Sequence, residues 1–341
     1  YFLTTGWDRF GIFSEYGFTV NKRDIGRKRT HICTSPEMLK FVIKAWHALT
    51  GILRENKFDR VHVFFGVPTG LLIFHPGLKN SHVTLWAGGS DVPWHNKERF
   101  WLLYAFLTPV IKRIWKKAAA VICNSSDLRG EVLRFSPGLQ VKVLYNGIDT
   151  DSFHPAETVQ PPRPFTVLCA GRLIPFKRTE TIIRAAALLK AAGRKMRVRI
   201  AGEGSERAAL ENLASTLAVT DTVEFLGGLP REKMPQLYRE SDVFAHMSRT
   251  EGMCNSVLEA MATALPVISS DTGDAGDLLQ DCGTALADGT PEAFARSITR
   301  YMQDAGLRAA HGQAARAKTE RMSWEQSAGK YLALLERADA P

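Results

Sequence analysis

Apolar positions recur along this chain with two different periods, and the alternation between them predicts its architecture. Over residues 35–55, Met38, Phe41, Val42, Ala45, Leu49, Ile52 and Leu53 fall on one face of a helix. Residues 61–66 read instead as a buried strand ending in glycine, and 82–85 as another strand that runs into the turn Gly88-Gly89-Ser90-Asp91. Residues 94–117 are again helical, 118–123 return to a strand that enters the turn Asn124-Ser125-Ser126, and 141–144 make a further strand. Pro155, Pro161, Pro162 and Pro164 then mark a linker. A second series follows, with strands at 165–170, 198–201 and 223–227, a helix from about 179 to 192, and a short helix and strand after residue 255. Strands alternating with helices argue for parallel sheets, and 341 residues exceed the usual size of one core. Two α/β domains are expected, over 1–150 and 151–322, followed by a final helical pattern at 323–337. The opening residues 1–5 read as a strand already under way, with no initiator Met, so a truncated N-terminus is expected.

Composition narrows the class without deciding it. Hydrophobic content of 45% and charged content of 23% are ordinary for a globular protein, while a net charge of +9 and a pI near 9.4 admit an anionic partner. Cys33, Cys123, Cys169, Cys254 and Cys282 are odd in number, widely spaced and form no C-x-x-C pair, which argues against a disulfide framework or a zinc site and for a reducing cytoplasm. No apolar run reaches the roughly 18 residues of a spanning helix, and no signal peptide is evident.

Candidate chemistry concentrates in residues 249–270. Glu251 lies in a loop beside Gly252, where the missing Cβ lets a ligand approach the backbone, and Glu259 lies in the first turn of the following helix. Asn255 and Ser256 are good N-cap types, so the helix is expected to begin with them. Free amides and the positive end of the helix dipole suit a phosphate, whereas the two carboxylates suit hydroxyl groups on the rest of a ligand. Ser256 and Glu259 also spell a capping box, S-x-x-E, which would give Glu259 a purely structural role. Arg172 and Lys177 flank a turn at a strand's C-terminal edge, where two cations could clamp a diphosphate or remain solvated. Asp149 and Asp151 imitate a D-x-D metal motif but sit in a turn beside the linker, and no metal is expected.

The stretch from Glu251 to Glu259 resembles the E-x7-E signature of retaining glycosyltransferases of family 4, in the form Glu-Gly, five variable residues, then Leu-Glu-Ala-Met. Three further elements occur in that family's order: the turn Gly171-Arg172-Leu173-Ile174-Pro175-Phe176-Lys177, the loop Gly202-Glu203-Gly204, and the strand and turn 223–227. The resemblance implies an α/β GT-B fold, two Rossmann-like domains with parallel sheets facing across a cleft, with the last helix crossing back to the first domain. It implies catalytic roles for Glu251, Arg172 and Lys177. It implies donor contacts from Gly171, Gly202, Gly204, Leu226, Gly252, Met253, Cys254, Asn255, Ser256, Val257 and Glu259, with Glu251 on the sugar and Glu259 on the ribose. Gly89, Ser90 and Asp91 resemble a loop on the acceptor side, although Ala87 and Gly88 stand where many members carry His or Arg. Asp274 stands where many have a second glycine.

The expected function is therefore a retaining, metal-independent hexosyltransferase that moves a sugar from a UDP- or GDP-sugar such as GDP-mannose to a hydroxyl acceptor, in cell-envelope polysaccharide, lipopolysaccharide or glycolipid synthesis. The nucleotide sugar is a substrate and no cofactor is expected. A nucleotide-sugar 2-epimerase of similar fold and a nucleotide-sugar-binding protein without turnover are the alternatives. No nucleic-acid-binding module is recognised. Residues 94–117 mix Trp101, Phe106 and Trp115 with Lys112, Arg113, Lys116 and Lys117, and Arg27, Lys28 and Arg29 form a second basic cluster. This pattern suits either a peripheral contact with an anionic membrane, at its inner face and near a lipid-linked acceptor, or a core helix with solvated ends.

Overall fold

The computed structural model describes residues 2–4, 11–15, 18–22, 35–89, 92–93, 97–156 and 163–337. Two compact units result, Tyr1–Asn124 with Leu128–Val143, and Ser125–Asp127 with Leu144–Pro341.

The first unit opens with β1 (Phe2–Thr4), β2 (Gly11–Glu15) and β3 (Phe18–Lys22), a small sheet in the order β1-β3-β2. Helix α1 (Ser35–Glu55) leads to β4 (Arg60–Phe64), β5 (His82–Ala87), α2 (Lys97–Lys117), β6 (Ala120–Cys123), α3 (Ser126–Phe135) and β7 (Val141–Val143). Strands β4 to β7 form one parallel sheet in sequence order. Its core gathers Val63, Leu85, Val121 and Cys123 from the strands, Ile111, Ile114 and Trp115 from α2, and Leu128 and Val132 from α3. Trp115 is fully buried, so the core account of α2 holds at that position. Phe106 is 78% exposed, and Arg113, Lys116 and Lys117 are exposed on the same helix. The side chain of Trp101 and the whole of Arg27, Lys28 and Arg29 lie outside the described residues. Among the described residues no helix is long and apolar enough to cross a membrane.

The second unit contains β8 (Phe165–Ala170), α4 (Thr179–Ala191), β9 (Met196–Ala201), α5 (Arg207–Thr216), β10 (Val223–Gly227), α6 (Met234–Arg239) and β11 (Val243–His246). It continues through α7 (Asn255–Ala262), β12 (Val267–Ser270), α8 (Ala275–Leu279), β13 (Gly283–Leu286), α9 (Pro291–Gln303), α10 (Ala305–Thr319) and α11 (Trp324–Arg337). The six strands form one parallel sheet in the order β10-β9-β8-β11-β12-β13. Buried apolar strands of this kind place alternate side chains on opposite faces. Val167, Cys169, Val198, Ile200, Val243, Ala245 and Ile268 pack with α4 and α9. Their neighbours Leu168, Ala170, Ala201, Phe244 and Val267 pack with α6, α7 and α10.

That strand order places the site. The chain winds from β8 outward to β9 and β10, then returns to the other side of β8 as β11, so the order reverses between β8 and β11. In open parallel sheets the crevice beyond the carboxyl ends of the strands at such a reversal is where ligands bind. The loops after β8 and β11 both leave from it.

Candidate functional site

Three glycine-bearing loops are laced together at the carboxyl edge of the second sheet. The Gly171 amide donates to Ala201 O (3.0 Å), Leu173 N to Glu203 O (2.9 Å), and Gly202 N to Gly227 O (2.8 Å). The spacing leaves no room for side chains: a Cβ on Gly202 would lie 1.9 Å from Gly171 O, and one on Gly204 would lie 2.0 Å from Leu173 O. Gly202 also has φ of +147°, a region that favours glycine. Leu226, next to Gly227, is half-buried against the core face that carries α7.

Lys177 ends a tight turn at Pro175–Lys177, which is tied to the loop after β11 because Arg249 N donates to Phe176 O (2.9 Å). This brings the Lys177 ammonium to 2.5 Å from Glu251 Oε2, with side chains 14% and 20% exposed. Lys177, Glu251 and Cys254 are thereby gathered into one cluster. Arg172 stands exposed at the start of the same turn; its carbonyl accepts from Ile174 N (3.1 Å), and its side chain makes no ion pair or hydrogen bond among the described residues.

The cluster has a further member that the sequence did not single out. His246, the last residue of β11, is 5% exposed and lies between the other groups: Nδ1 is 3.7 Å from Cys254 Sγ and Nε2 is 3.3 Å from Glu251 Oε2. Its only sequence signal was position, at the end of an apolar run that feeds the Glu-Gly loop. Burial acts to neutralise the Glu251 carboxyl, but His246 and the Lys177 charge outweigh it and hold Glu251 at about 2. Burial likewise opposes the Lys177 charge, and Cys254 and Glu251 outweigh it, so Lys177 is raised above its ordinary value. Donor atoms of His246, Glu251 and Cys254 lie within 4.8 Å of one another, a spacing compatible with a cation. Lys177 already neutralises that carboxylate, however, and His246 turns opposite ring nitrogens to the thiol and the carboxylate, an arrangement for ion pairing.

The start of α7 differs from the expectation. Its N-cap is Cys254, neither Asn255 nor Ser256, and no side chain caps it. Asn255 Oδ1 accepts from Asn146 Nδ2 (2.8 Å), and Ser256 Oγ lies 3.1 Å from Cys254 Sγ. The amides of Asn255 and Ser256 donate to no acceptor among the described residues. Glu259 takes no part in a capping box: its Oε2 accepts from the hydroxyl of Tyr238 (2.8 Å), a residue with no exposed surface. Burial raises the Glu259 carboxyl, with Tyr238 and Arg231 pulling the other way. Met253 and Val257 are core residues, so only their backbone faces the site. Gly252 is half-buried, and a Cβ on Gly273 would meet the Gly252 carbonyl at 2.6 Å, so the loop after β12 backs the Glu251–Gly252 turn. Asp149 closes a local turn, its Oδ1 accepting from the Asp151 and Ser152 amides. Gly89, with φ of 89°, belongs to the first unit, and Ser90 and Asp91 lie outside the described residues.

This geometry can hold an anion on Lys177, Arg172 and two free amides, and can present a carboxylate that is ionised at neutral pH beside it. The profile of the family Glycosyl transferases group 1 matches residues 151–318, and that of Glycosyltransferase Family 4 matches residues 5–152. The chain is 29% identical over 300 residues to the GDP-mannose-dependent alpha-(1-6)-phosphatidylinositol monomannoside mannosyltransferase of Mycobacterium tuberculosis, covering 82% of this chain and 76% of that protein. It is 29% identical over 255 residues to D-inositol 3-phosphate glycosyltransferase of Salinispora arenicola, covering 67% of this chain and only 57% of that protein. Among solved structures, sucrose-phosphate synthase from Thermosynechococcus elongatus superposes with a TM-score of 0.84 at 19% identity, over 98% of this chain and 87% of that one. Anabaena HepE in complex with UDP gives 0.73 at 19% identity, over 87% and 82%. At these identities the structural likeness is one of fold.

Proposed function

Since the chain belongs to glycosyltransferase family 4, the group 1 glycosyl transferases of GT-B fold, we propose that it moves a sugar from a UDP- or GDP-sugar to a hydroxyl acceptor with retention at the anomeric carbon. The observation that carries this reading is the Lys177–Glu251 ion pair beside the start of α7, which sets a diphosphate-binding cation against a sugar-binding carboxylate. Lys177, Arg172 and the Asn255 and Ser256 amides receive the negative charge that grows on the diphosphate as it leaves, and being fixed beforehand they need no reorganisation. Glu251 stays ionised at neutral pH, so it accepts hydrogen bonds from sugar hydroxyls and does not shuttle a proton. Glu259, anchored by Tyr238, accepts from the ribose. The acceptor's proton passes to the departing phosphate. With two side-chain cations on the diphosphate, the reaction runs without a divalent metal.

The name of the mannosyltransferase relative favours GDP-mannose as the donor and a lipid-linked hydroxyl as the acceptor, in cell-envelope polysaccharide or glycolipid synthesis. Phe106, projecting from a helix that also carries exposed cations, supports a peripheral contact with an anionic membrane at its inner face. Incubation with labelled UDP- and GDP-sugars, with and without lipid-linked acceptors and EDTA, tests the whole reading. Transfer that keeps the anomeric configuration and survives EDTA is expected. An epimerised donor, an inverted product, or donor binding with no product in any pairing would each reject it.

A further inference from the structure

Two side chains at the site have no part in that reaction, the Cys254 thiol and the His246 imidazole. His246 Nδ1 faces Cys254 Sγ at 3.7 Å, while Nε2 lies 3.3 Å from Glu251 Oε2 without the alignment of a hydrogen bond, buried and otherwise unpartnered. Glu251 is fixed in turn by Lys177. A thiol, an imidazole and a carboxylate in series is the arrangement in which a base activates a nucleophile and a third group orients the base. The groups facing Sγ from neighbouring elements are Lys177 from the turn after β8, His246 from β11, Glu251 from the loop, Cys169 from β8 and Tyr238 from α6. Burial pushes Cys169 up to about 12 and Tyr238 well above its ordinary value, so both are neutral at pH 7. Burial would also raise Cys254, but the His246 and Lys177 charges prevail over it and over the opposing Glu251, bringing the thiol to about 7. Burial would lower His246, yet the thiolate and Glu251 hold it at about 9. Cys254 also occupies the N-cap position of α7, whose dipole favours an anion there. It is half-buried, whereas Cys123, Cys169 and Cys282 are buried.

We infer that Cys254 is a modification site: a thiol paired with His246 that undergoes exchange with small disulfides, and whose modification closes the donor site. The closure rests on the donor-site reading above; the reactivity does not. The thiolate attacks one sulfur of R–S–S–R, forming a protein–S–S–R bond while the other sulfur leaves as a thiolate. Cys254 is oxidised and the leaving sulfur is reduced; His246 is already protonated at neutral pH, so any thiol proton is released to solvent and the imidazolium holds the thiolate by charge. The added group then sits on the N-cap residue of α7, beside the amides assigned to the diphosphate.

The test uses 5,5′-dithiobis(2-nitrobenzoate), whose released thiolate is coloured, on the full chain carrying Cys33→Ser so that the signal belongs to Cys254. The rate should rise with pH through an inflection near 7 and vanish with Cys254→Ser. His246→Gln should move the inflection upward by about one unit and slow the reaction at pH 6 on the order of tenfold. His246→Asn serves if the Gln variant does not fold, and the parent profile decides by itself: an inflection at the ordinary thiol value, about 8.5, overturns the inference. So would a His246 variant whose profile matches the parent. For closure, the modified protein should lose its thermal shift with UDP and GDP and regain it with dithiothreitol; a modified protein that keeps the shift rejects closure. Unmodified protein that shifts with no nucleotide sinks the donor-site reading instead, and closure with it, while the pH profile still decides the thiol.

Discussion

Lys177 does two things with one ammonium group, and its removal separates them. It is the counter-ion of a carboxylate that is four-fifths buried and, in the proposed function, a cation for the diphosphate. Lys177→Ala should weaken UDP and GDP binding by on the order of 1.5–3 kcal/mol, roughly tenfold to a hundredfold in Kd, by isothermal titration. It should also change the acid limb of stability. Glu251 titrates at about 2 in the folded chain and at 4.5 ordinarily, so its contribution is fully present above 4.5 and is lost as pH falls through about 2. Without Lys177 the folded value rises toward the ordinary one, and the loss in Tm between about pH 5 and about pH 3 becomes smaller than in the parent. Glu259 gives a contrasting case. Glu259→Gln still accepts the Tyr238 hydroxyl, so Tm should stay within about 2 °C while affinity for UDP and GDP falls if the carboxylate holds the ribose. Unchanged affinity would leave Glu259 as Tyr238's partner alone.

At the scale of elements, the site depends on loops that have no space for a side chain. Gly202→Ala drives a Cβ against Gly171 O, so the loops after β8 and β9 must part; both Tm and nucleotide binding should be lost. Gly312 makes a similar close approach away from the site, where a Cβ would lie 2.2 Å from Ala264 O between α10 and the end of α7. Gly312→Ala should cost about 1–3 kcal/mol of stability, read as a lower Tm, with nucleotide affinity kept below the transition. Much of this layer was legible in the sequence. Runs such as 165–170 and 198–201 are mostly apolar and end at a glycine, and each lies in a strand followed by its glycine loop. The N-cap position of α7 was not legible, because capping rules weight hydroxyl and amide side chains and the helix begins at Cys254 with no side-chain cap. His246 was not legible either, since a lone histidine at the end of an apolar strand reads as core, and its pairing with Cys254 arises only when the loop after β11 folds back. In α2, periodicity could not tell membrane-facing aromatics from core ones; the burial of Trp115 separates them at one position.

At the scale of the whole molecule, charge and exposed apolar surface bear on where the protein works. If Phe106 and its neighbouring cations meet an anionic surface, binding should be weak and salt-sensitive, because each basic residue there contributes about 1 kcal/mol and the field decays within about 8 Å at physiological salt. Co-sedimentation with anionic vesicles should exceed that with neutral ones and fall as salt is raised; equal recovery from both would remove the membrane from the proposal. The division into two units has a spectroscopic consequence. Of seven tryptophans, six lie within residues 1–124, and only Trp324, on α11, belongs to the second unit. The six-stranded sheet and its glycine loops contain none. Tryptophan emission therefore follows the first unit, while circular dichroism sums over both. If the units melt independently, the two signals will give different midpoints on heating, and a nucleoside diphosphate that binds the second unit will move the dichroism transition while leaving most of the emission transition where it was.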